Sequence, residues 1–335
     1  MAGHIDMHAH YYGGGLVGFL QARQDRPCLR PGGNGGQEML AMNGAFPFLP
    51  AHHDHRVGLA QMDAAGIDRR LLTFPGALCL DVLPAAEVAP VIRAFNDHLA
   101  QLGQDTGGRL PGLAGLPLAD MAAAAAELRR VRHDLRLPGA ILPADYFNTI
   151  AEARRLTPVL EAADETGALL MLHPGPMAGA VPAPPAADFA QYRTSAVALQ
   201  SQLSQVTLTL ILSDLLDSFP RIRFQVVNLG GTLPFIFERM ESIARHRNPD
   251  TPFPTDRLRR IWYDCASLGP RALEAGIALY GADRIMLGTD WPIFREDPAT
   301  TVLQPARLDD AVRAQVSHGT TARLLEDVAR DLPAW

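Results

Sequence analysis

The sequence contains no lysine, so all 30 basic side chains are arginine. This absence excludes catalysis through a lysine Schiff base, phosphate binding by a P-loop lysine and a metal pair bridged by a carbamylated lysine. Cysteine is scarce as well, and the spacing of Cys28, Cys79 and Cys265 matches neither a disulfide framework nor a zinc finger. Because such cysteine usage is typical of a reducing compartment, we expect a cytoplasmic protein.

Long apolar runs and clusters of basic charge are also missing. No apolar stretch approaches the roughly 20 residues needed to cross a bilayer, and His4, Asp6 and His8 occupy the N-terminal region where a signal peptide would be apolar. The net charge of −6, without any basic run, argues against nucleic acids and membranes as partners. With 47% hydrophobic residues the chain can bury a large core, so we expect a globular protein that acts on small molecules.

Short apolar runs alternate with longer amphipathic stretches from one end of the chain to the other. This alternation is typical of βα units around a parallel sheet, and eight such units predict an α/β protein with a (β/α)8 (TIM) barrel fold. A barrel of this kind accounts for the 335 residues as a single domain, 1–335. The predicted strands are 4–8, 69–74, 113–116, 139–142, 169–173, 224–228, 261–264 and 285–290, and the predicted helices include 87–102, 121–133, 151–165, 195–218, 233–244 and 270–280.

Two segments interrupt this alternation of apolar and amphipathic stretches. Residues 11–55 are rich in glycine, show no clear period and predict a long insertion after the first strand. Residues 174–187 contain five prolines and predict a second irregular loop, after the fifth strand. Since the loops that follow the strands of such a barrel form its active-site face, we expect both segments at the rim of the active site.

Side chains that can bind a metal occur at the ends of three predicted strands. His8 and His10 are two residues apart at the end of the first strand, so their imidazoles point to the same side. His173 ends the fifth strand and Asp290 ends the eighth, which brings all four residues to the same rim. Three imidazoles and one carboxylate suit Zn²⁺ or another divalent first-row metal, with an open position for water or substrate.

The chain also resembles a known family in five motifs that together span nearly its whole length. These are residues 5–10 (IDMHAH), Arg56 with 62–68 (MDAAGID), 172–174 (LHP), 230–239 and 287–292 (LGTDWP). They are similar to the amidohydrolase superfamily, and within it to the group of 2-amino-3-carboxymuconate semialdehyde decarboxylase and the related resorcylate and carboxyvanillate decarboxylases.

The resemblance implies a role for several residues. It makes His8, His10, His173 and Asp290 the ligands of one ion, usually Zn²⁺ and sometimes Mn²⁺. It further implies a homodimer, in which Arg239 reaches the neighbouring subunit's site. Arg56 resembles the arginine that binds a substrate carboxylate, a role for which its planar guanidinium is suited.

Asn228 departs from the pattern of those decarboxylases, which carry a histidine before the Gly-Gly pair. An amide cannot take up a proton at neutral pH, so a base function must pass to Asp290 or the mechanism must differ. Asn228 can still donate a hydrogen bond to a developing oxyanion. An asparagine here also resembles the amidohydrolase-type hydrolases of meta-cleavage products, and a plain strand cap in an inactive family member is a third interpretation.

The surroundings of Arg56 have a structural interpretation too, because Asp54 can cap the helix that begins there. The neighbouring His52, His53 and His55 are expected on the surface of the loop. Aromatic side chains are candidates for the wall of an aromatic substrate's pocket. They are Tyr11, Tyr12, Tyr192 and Trp291.

Three functions follow from these residues. The first is a divalent-metal-dependent decarboxylase of a carboxylated phenol or a muconate-semialdehyde-like acid in aromatic-compound metabolism, in which Asp290 delivers a proton to carbon. The second is a metal-dependent hydrolase of a C–C bond or a lactone, with Asp290 as base and Asn228 steadying the oxyanion. The third is a metal-binding scaffold without catalytic activity.

Overall fold

Parallel strands form the centre of the molecule in the computed structural model, which describes residues 3–33, 35–42, 44–180, 186–297 and 299–332. The strands are β1 (His4–His10), β2 (Cys28–Pro31), β3 (Gln37–Ala41), β4 (Gly44–Phe48), β5 (Ile67–Thr73), β6 (Gly112–Leu113), β7 (Gly139–Pro143), β8 (Leu169–His173), β9 (Arg223–Val226), β10 (Ile261–Asp264) and β11 (Ile285–Met286). The helices are α1 (Leu16–Ala22), α2 (Pro50–His53), α3 (His55–Ala64), α4 (Ala85–Asp105), α5 (Met121–His133), α6 (Ile150–Ala153), α7 (Thr157–Thr166), α8 (Ala190–Tyr192), α9 (Leu199–Leu212), α10 (Leu215–Ser218), α11 (Leu233–Arg247), α12 (Pro270–Tyr280), α13 (Asp310–Ala314) and α14 (Thr320–Arg330).

Two parallel sheets meet at both of their edges. One has the strand order β1-β5-β6 and the other β7-β8-β9-β10-β11. A bridge between Ala114 and Ala140 joins β6 to β7, and a bridge between Ala9 and Trp291 joins β1 to the segment after β11. The amide of Met7 also donates to the carbonyl of Leu287 at 2.9 Å. The eight parallel strands therefore follow the chain around a (β/α)8 barrel, and the fold expected from the sequence is confirmed.

The barrel strands are buried on both faces, which explains why they read as short apolar runs in the sequence. Every residue of β7 and β8 is buried, as are six of the seven residues of β1. Polar side chains inside such a barrel need partners. The carboxylate of Asp6 accepts hydrogen bonds from Arg70 Nε at 2.7 Å and from Thr289 Oγ1 at 2.6 Å, which ties β1 to β5 and to the end of the eighth barrel strand.

Local side-chain chemistry sets where several helices begin and end. The carboxylate of Asp120 accepts hydrogen bonds from the first amides of α5, and Gly167 ends α7 with a φ of 59°. The predicted helix 195–218 is divided in the structure. Ser213 adopts an extended conformation after α9, and its hydroxyl accepts a hydrogen bond from Leu215 N at 3.2 Å, where α10 begins.

The insertion 11–55 is more regular than the sequence indicated. It contains α1, α2 and a three-stranded antiparallel sheet with the order β2-β3-β4. Buried Met39 and Ala41 alternate with less buried neighbours along β3, a two-residue period too short to stand out from the glycine-rich sequence around it. Within the second irregular segment, residues 181–185 lie outside the described part of the chain. None of the described helices has the length and apolarity needed to cross a bilayer.

Candidate metal centre

Three buried imidazoles converge at the carboxyl ends of two barrel strands. His8 and His10 belong to β1, and His173 is the last residue of β8. One ring nitrogen from each lies within 4.8 Å of the others. The ring centroids are 4.8 to 5.3 Å apart, and the rings are nearly perpendicular to one another, so each presents an edge to the shared space.

A hydrogen bond at Nδ1 orients each of the three rings. His8 Nδ1 lies 3.2 Å from Oδ1 of Asp264, the last residue of β10. His10 Nδ1 lies 2.9 Å from the hydroxyl of Thr73, and His173 Nδ1 donates to its neighbour's carbonyl, Pro174 O, at 3.0 Å. With Nδ1 occupied, Nε2 is the nitrogen left to bind a metal, which is how metal-binding histidines are usually held.

The carboxylate of Asp290 completes the group. Its Oδ1 lies 3.2 Å from His10 Nε2 and 3.7 Å from His8 Nε2. Asp290 follows the eighth barrel strand with a φ of 58°, a left-handed conformation that Asp adopts more readily than most residues. Its amide donates to His8 O at 2.8 Å, so the backbone itself fixes Asp290 beside the first strand.

The electrostatics of the centre follow from burial and from the mixture of rings and acids. Burial disfavours the charged form of His8, but the carboxylates of Asp264, Asp290 and Asp6 outweigh burial and raise its pKa to about 9. Burial, together with His10 and His8, brings the pKa of His173 well below its usual range. Burial raises the pKa of Asp290. Its hydrogen bond to His10 and the charges of the three rings have the larger, opposite effect, so the pKa of Asp290 is lowered overall.

These residues fit a divalent metal ion. Nε2 of His8 is buried and has no hydrogen-bond partner among the described residues. A buried polar atom without a partner is energetically unfavourable, so this nitrogen favours binding of a further ligand. Three imidazole nitrogens and one carboxylate oxygen suit Zn²⁺ and Mn²⁺. The centre therefore has the donor set, the orienting partners and the unsatisfied buried atom expected of a metal site.

A cleft of about 710 Å³ opens beside His173. Its walls include the segment after β8, part of α9 and Met42 from the turn between β3 and β4. Cys79 and Asp145, which follow β5 and β7, also line it. The cleft has the size of a small-molecule site and leads to His173 of the candidate metal centre, so we propose it as the substrate cleft.

Comparison with known proteins places this arrangement in a family. The family model described as "Amidohydrolase" matches residues 5–326. The chain belongs to the amidohydrolase family.

Among curated relatives, this amidohydrolase is 27% identical over 205 residues to 2-amino-3-carboxymuconate-6-semialdehyde decarboxylase of Dictyostelium discoideum, a match that covers 59% of the chain but only 55% of that relative. It is 25% identical over 294 residues to gamma-resorcylate decarboxylase of Polaromonas sp., covering 82% of the chain and 87% of the relative. Among solved structures, it shares its fold with the dihydroxybenzoic acid decarboxylase of Polaromonas sp., with bound manganese and the inhibitor 2-nitroresorcinol (TM-score 0.70, 21% identity, 97% of each chain covered).

The residues predicted to bind the metal lie together in the amidohydrolase barrel, whereas those predicted to bind substrate are scattered. The side chain of Arg56 is 80% exposed, and Asp54 accepts hydrogen bonds from its Nε at 3.0 Å and its Nη2 at 2.9 Å. Asp54 also caps α3 through the amide of Arg56. Arg56 would have to leave this ion pair to bind a substrate carboxylate.

Arg239, Tyr192 and Trp291 have different surroundings. Arg239 lies exposed on α11, and Tyr192 is 66% exposed at the end of α8. Trp291 is buried, with the guanidinium carbon of Arg70 5.3 Å from its ring centroid. Its ring thus faces Arg70, which is paired with buried Asp6.

The side chain of Asn228 is buried in a tight turn after β9. Its Nδ2 donates to Ser267 Oγ at 2.8 Å, and its backbone amide donates to Asp264 Oδ1 at 3.2 Å. The turn has positive φ at Asn228 and again at Leu229, a conformation that asparagine tolerates well. Asn228 is therefore connected to the acid that orients His8.

Some residues of the N-terminal segment are placed differently from the expectation. His52 was expected on a loop surface, but it is buried, stacked on Phe48 and bonded through Nδ1 to the backbone of Leu49. The pKa of His52 is lowered by burial to about 4, so it is a neutral packing residue. Tyr12 packs against His52, and the hydroxyl of Tyr11 lies 3.1 Å from His98 Nε2.

Sequence reasoning missed two residues that support the centre, Asp264 and Thr73. Asp264 ends the apolar run Ile261–Asp264 just as His173 and Asp290 end theirs, so the same signal was present. Thr73 gave no comparable signal, because a threonine within a strand is ordinary. Its role follows only from the parallel pairing of Thr73 with His10 between β5 and β1.

Proposed function

We propose that this protein is a divalent-metal-dependent decarboxylase that removes CO₂ from a carboxylated phenol or a ring-cleaved, muconate-semialdehyde-like acid. The observation that carries the proposal is the convergence of His8, His10 and His173 within 4.8 Å, beside Asp290 and at the end of the substrate cleft. The names of the relatives point to the same reaction on aromatic or muconate-type acids.

The cofactor that we propose is one Mn²⁺ or Zn²⁺ ion, held by His8, His10, His173 and Asp290. The donor set suits either metal, and the manganese in the related dihydroxybenzoic acid decarboxylase supports Mn²⁺. When bound, such an ion acts as a Lewis acid toward a substrate oxygen.

Asp290 and Asn228 are the residues to which we assign the remaining chemistry. Loss of CO₂ replaces a C–C bond by a C–H bond, so a proton must reach the ring carbon. Asp290, whose Oδ1 contacts two of the imidazoles, is the titratable side chain that we assign to this transfer. Asn228 cannot carry a proton, and its amide is suited to hold an oxygen by hydrogen bonding.

Direct assay tests the reaction. The protein, loaded with Mn²⁺ or with Zn²⁺, is incubated with a panel of hydroxybenzoates and muconate-semialdehyde-like acids while CO₂ release and ring absorbance are followed. We expect CO₂ in amounts equal to the substrate consumed, and none from metal-free protein. Binding of the metal without turnover of any substrate would instead support a scaffold.

Hydrolysis of a C–C bond is the second candidate, and Asn228 is the observation that favours it. Position 228 offers a hydrogen-bond donor where the resembled decarboxylases carry a histidine, and an amide suits an oxyanion better than a proton transfer. The same incubation distinguishes the two reactions, because hydrolysis of a meta-cleavage product yields two products that include a new carboxylic acid and releases no CO₂.

We also propose that the protein is a homodimer that buries an exposed apolar surface at the start of α11. Phe235 is 91% exposed, and Arg239 lies one turn further along the same helix. Thr232 N donates to Gln200 O, which brings this helix next to the segment that carries exposed Tyr192 and Val197. A second copy over this surface would cover the apolar side chains. Sedimentation velocity of the wild type and of Phe235→Ser tests this, and a monomeric wild type would contradict it.

A further inference from the structure

The substrate cleft carries an acidic side chain, Asp145, near the candidate metal centre. Pro143 at the end of β7 pairs with His173 at the end of β8. Two residues further on, the amide of Asp145 donates to the carbonyl of Gly175 at 3.2 Å. At normal strand dimensions this offset places the Cα atoms of Asp145 and His173 within about 10 Å of each other. Both residues line the same cleft.

The side chain of Asp145 is held in one orientation. Its Oδ1 accepts hydrogen bonds from Nδ2 of Asn148, at 3.1 Å, and from Nε2 of Gln202. Both amides bind the same carboxylate oxygen, and no hydrogen bond among the described residues uses Oδ2. The carboxylate is half-buried on the wall of the cleft, so Oδ2 is available to accept a hydrogen bond from a ligand bound there.

The charge of the cleft points to the same kind of ligand. No arginine is among the described residues that line it, and Asp145 is its one acidic side chain. A carboxylate attracts neutral donors and cations and repels an anion. A substrate anion is therefore accommodated at the metal end, while the Asp145 end excludes a second negative group.

We propose that Asp145, oriented by Asn148 and Gln202, selects substrates that carry a neutral hydrogen-bond donor on the ring side opposite the group at the metal. The donor is a hydroxyl or an amino group, and a carboxylate at that position is rejected. This inference rests on the proposed function, because it takes the metal centre as the place where the reacting end of the ring binds.

Three nitrophenols test the proposal without turnover, since a nitro group takes the place of the carboxylate and cannot leave as CO₂. They differ only para to the nitro group: 5-amino-2-nitrophenol has a donor, 5-methoxy-2-nitrophenol has none, and 3-hydroxy-4-nitrobenzoate has an anion. Their affinities for the Mn²⁺-loaded protein are measured by titration of their visible absorbance. Competition with 4-aminosalicylate and with 2,4-dihydroxybenzoate is then compared. These two compounds differ only in carrying an amino or a hydroxyl group para to the carboxylate, so their relative affinities show which donor Asp145 prefers.

We expect the wild type to bind the amino compound at least about 10-fold more tightly than the methoxy compound, the range of a hydrogen bond to a charged group. In Asp145→Asn the preference for the amino over the methoxy compound should fall below about 3-fold. The carboxylate compound should bind to this variant at least about 5-fold more tightly than to the wild type, because the repelling charge is gone. Asp250→Asn, which changes an exposed acid outside the cleft, is the matched control and should keep all three wild-type affinities.

Equal binding of the amino and methoxy compounds to the wild type would overturn the proposal, and that measurement needs no variant. An unchanged preference in folded Asp145→Asn would overturn it as well. The CO₂ assay stays separate: a donor preference that depends on Asp145, without any decarboxylation, would leave this subsite intact and remove the proposed reaction.

Discussion

His8 Nδ1 and Asp264 Oδ1 lie 3.2 Å apart, although 256 positions separate the two residues in the chain. Asp264 is fully buried and also accepts hydrogen bonds from Gln225 Nε2 at 2.7 Å and Asn228 N at 3.2 Å. The carboxylate thus holds the ring of His8, a barrel glutamine and the turn of Asn228 in one network. Such partners fix the tautomer and direction of the ring that binds the ion.

Replacing this acid should weaken metal binding without removing a ligand. We expect Asp264→Asn to bind Mn²⁺ or Zn²⁺ about 10- to 100-fold more weakly, the usual effect of losing a partner of this kind. Competition with a chromogenic chelator measures the affinity, and thermal unfolding shows whether the variant is folded. Asp250→Asn serves as the matched control, and unchanged affinity in folded Asp264→Asn would contradict the role of Asp264.

Removing a ligand itself should abolish stoichiometric binding. We expect His173→Ala to lose most of its bound metal, because the remaining side chains come from one strand end and from Asp290 alone. Elemental analysis after dialysis measures the ratio of metal to protein. His133→Ala, which removes an exposed histidine at the end of α5, should keep the wild-type ratio. A full complement of metal in His173→Ala would show that the ligand assignment is wrong.

The buried pair of Asp6 and Arg70 should matter for stability more than any exposed pair. Both side chains are fully buried, and Arg70 Nε donates to Asp6 Oδ2 at 2.7 Å. We expect Asp6→Asn to lower the free energy of unfolding by about 3–5 kcal/mol, because it leaves a buried guanidinium without its counter-ion. Urea unfolding measures this loss.

The control for that measurement is Glu165→Gln. It breaks the exposed ion pair with Arg129, for which the expected change is below about 1 kcal/mol. If the two variants lost the same stability, the buried pair would have no special role.

Asp81 should make the protein less stable as the pH rises from about 4 to about 7. Burial raises the pKa of Asp81 from 3.8 to about 7, and the backbone amides of Asp81 and Val82 offset only part of that increase. The folded state keeps this proton over a range in which the unfolded chain releases it, so stability falls through that range and is level above it.

The neutral variant Asp81→Asn should remove this pH dependence. At pH 8 we expect it to be more stable than the wild type by up to about 4 kcal/mol, since each pKa unit corresponds to about 1.4 kcal/mol. At pH 4 the two proteins should be nearly equal. Urea unfolding at both pH values tests this, and a wild-type pH dependence that persists in Asp81→Asn would assign the effect to other groups.

Much of the candidate metal centre could be predicted from the sequence, because the proposed ligands lie at or near the ends of apolar runs. A strand that must be buried on both faces leaves its last residue as the natural place for a polar side chain. That rule found His173 and Asp290, and it could have found Asp264. It could not reveal that Asp264 faces Nδ1 of His8 and so orients that ring, since this depends on which ring nitrogen the carboxylate contacts.

The residues proposed to bind substrate could not be placed in the same way. Arg56 matched the family motif, yet its guanidinium is bound to Asp54, two residues earlier. Asp145 and Gln202 belong to separate segments and are neighbours only because β7 and β8 are adjacent and α9 packs beside them. No period in the sequence reports a contact of that kind.

The sequence by itself predicted the barrel and the side chains that we propose as metal ligands, because the alternation of apolar runs and the polar residues at their ends are local properties of the chain. Only the tertiary structure decided which side chains orient those ligands, which acid faces the substrate cleft and how the 11–55 segment folds. These depend on strand neighbours, on rotamers and on the burial of particular atoms, which are set when distant parts of the chain pack together.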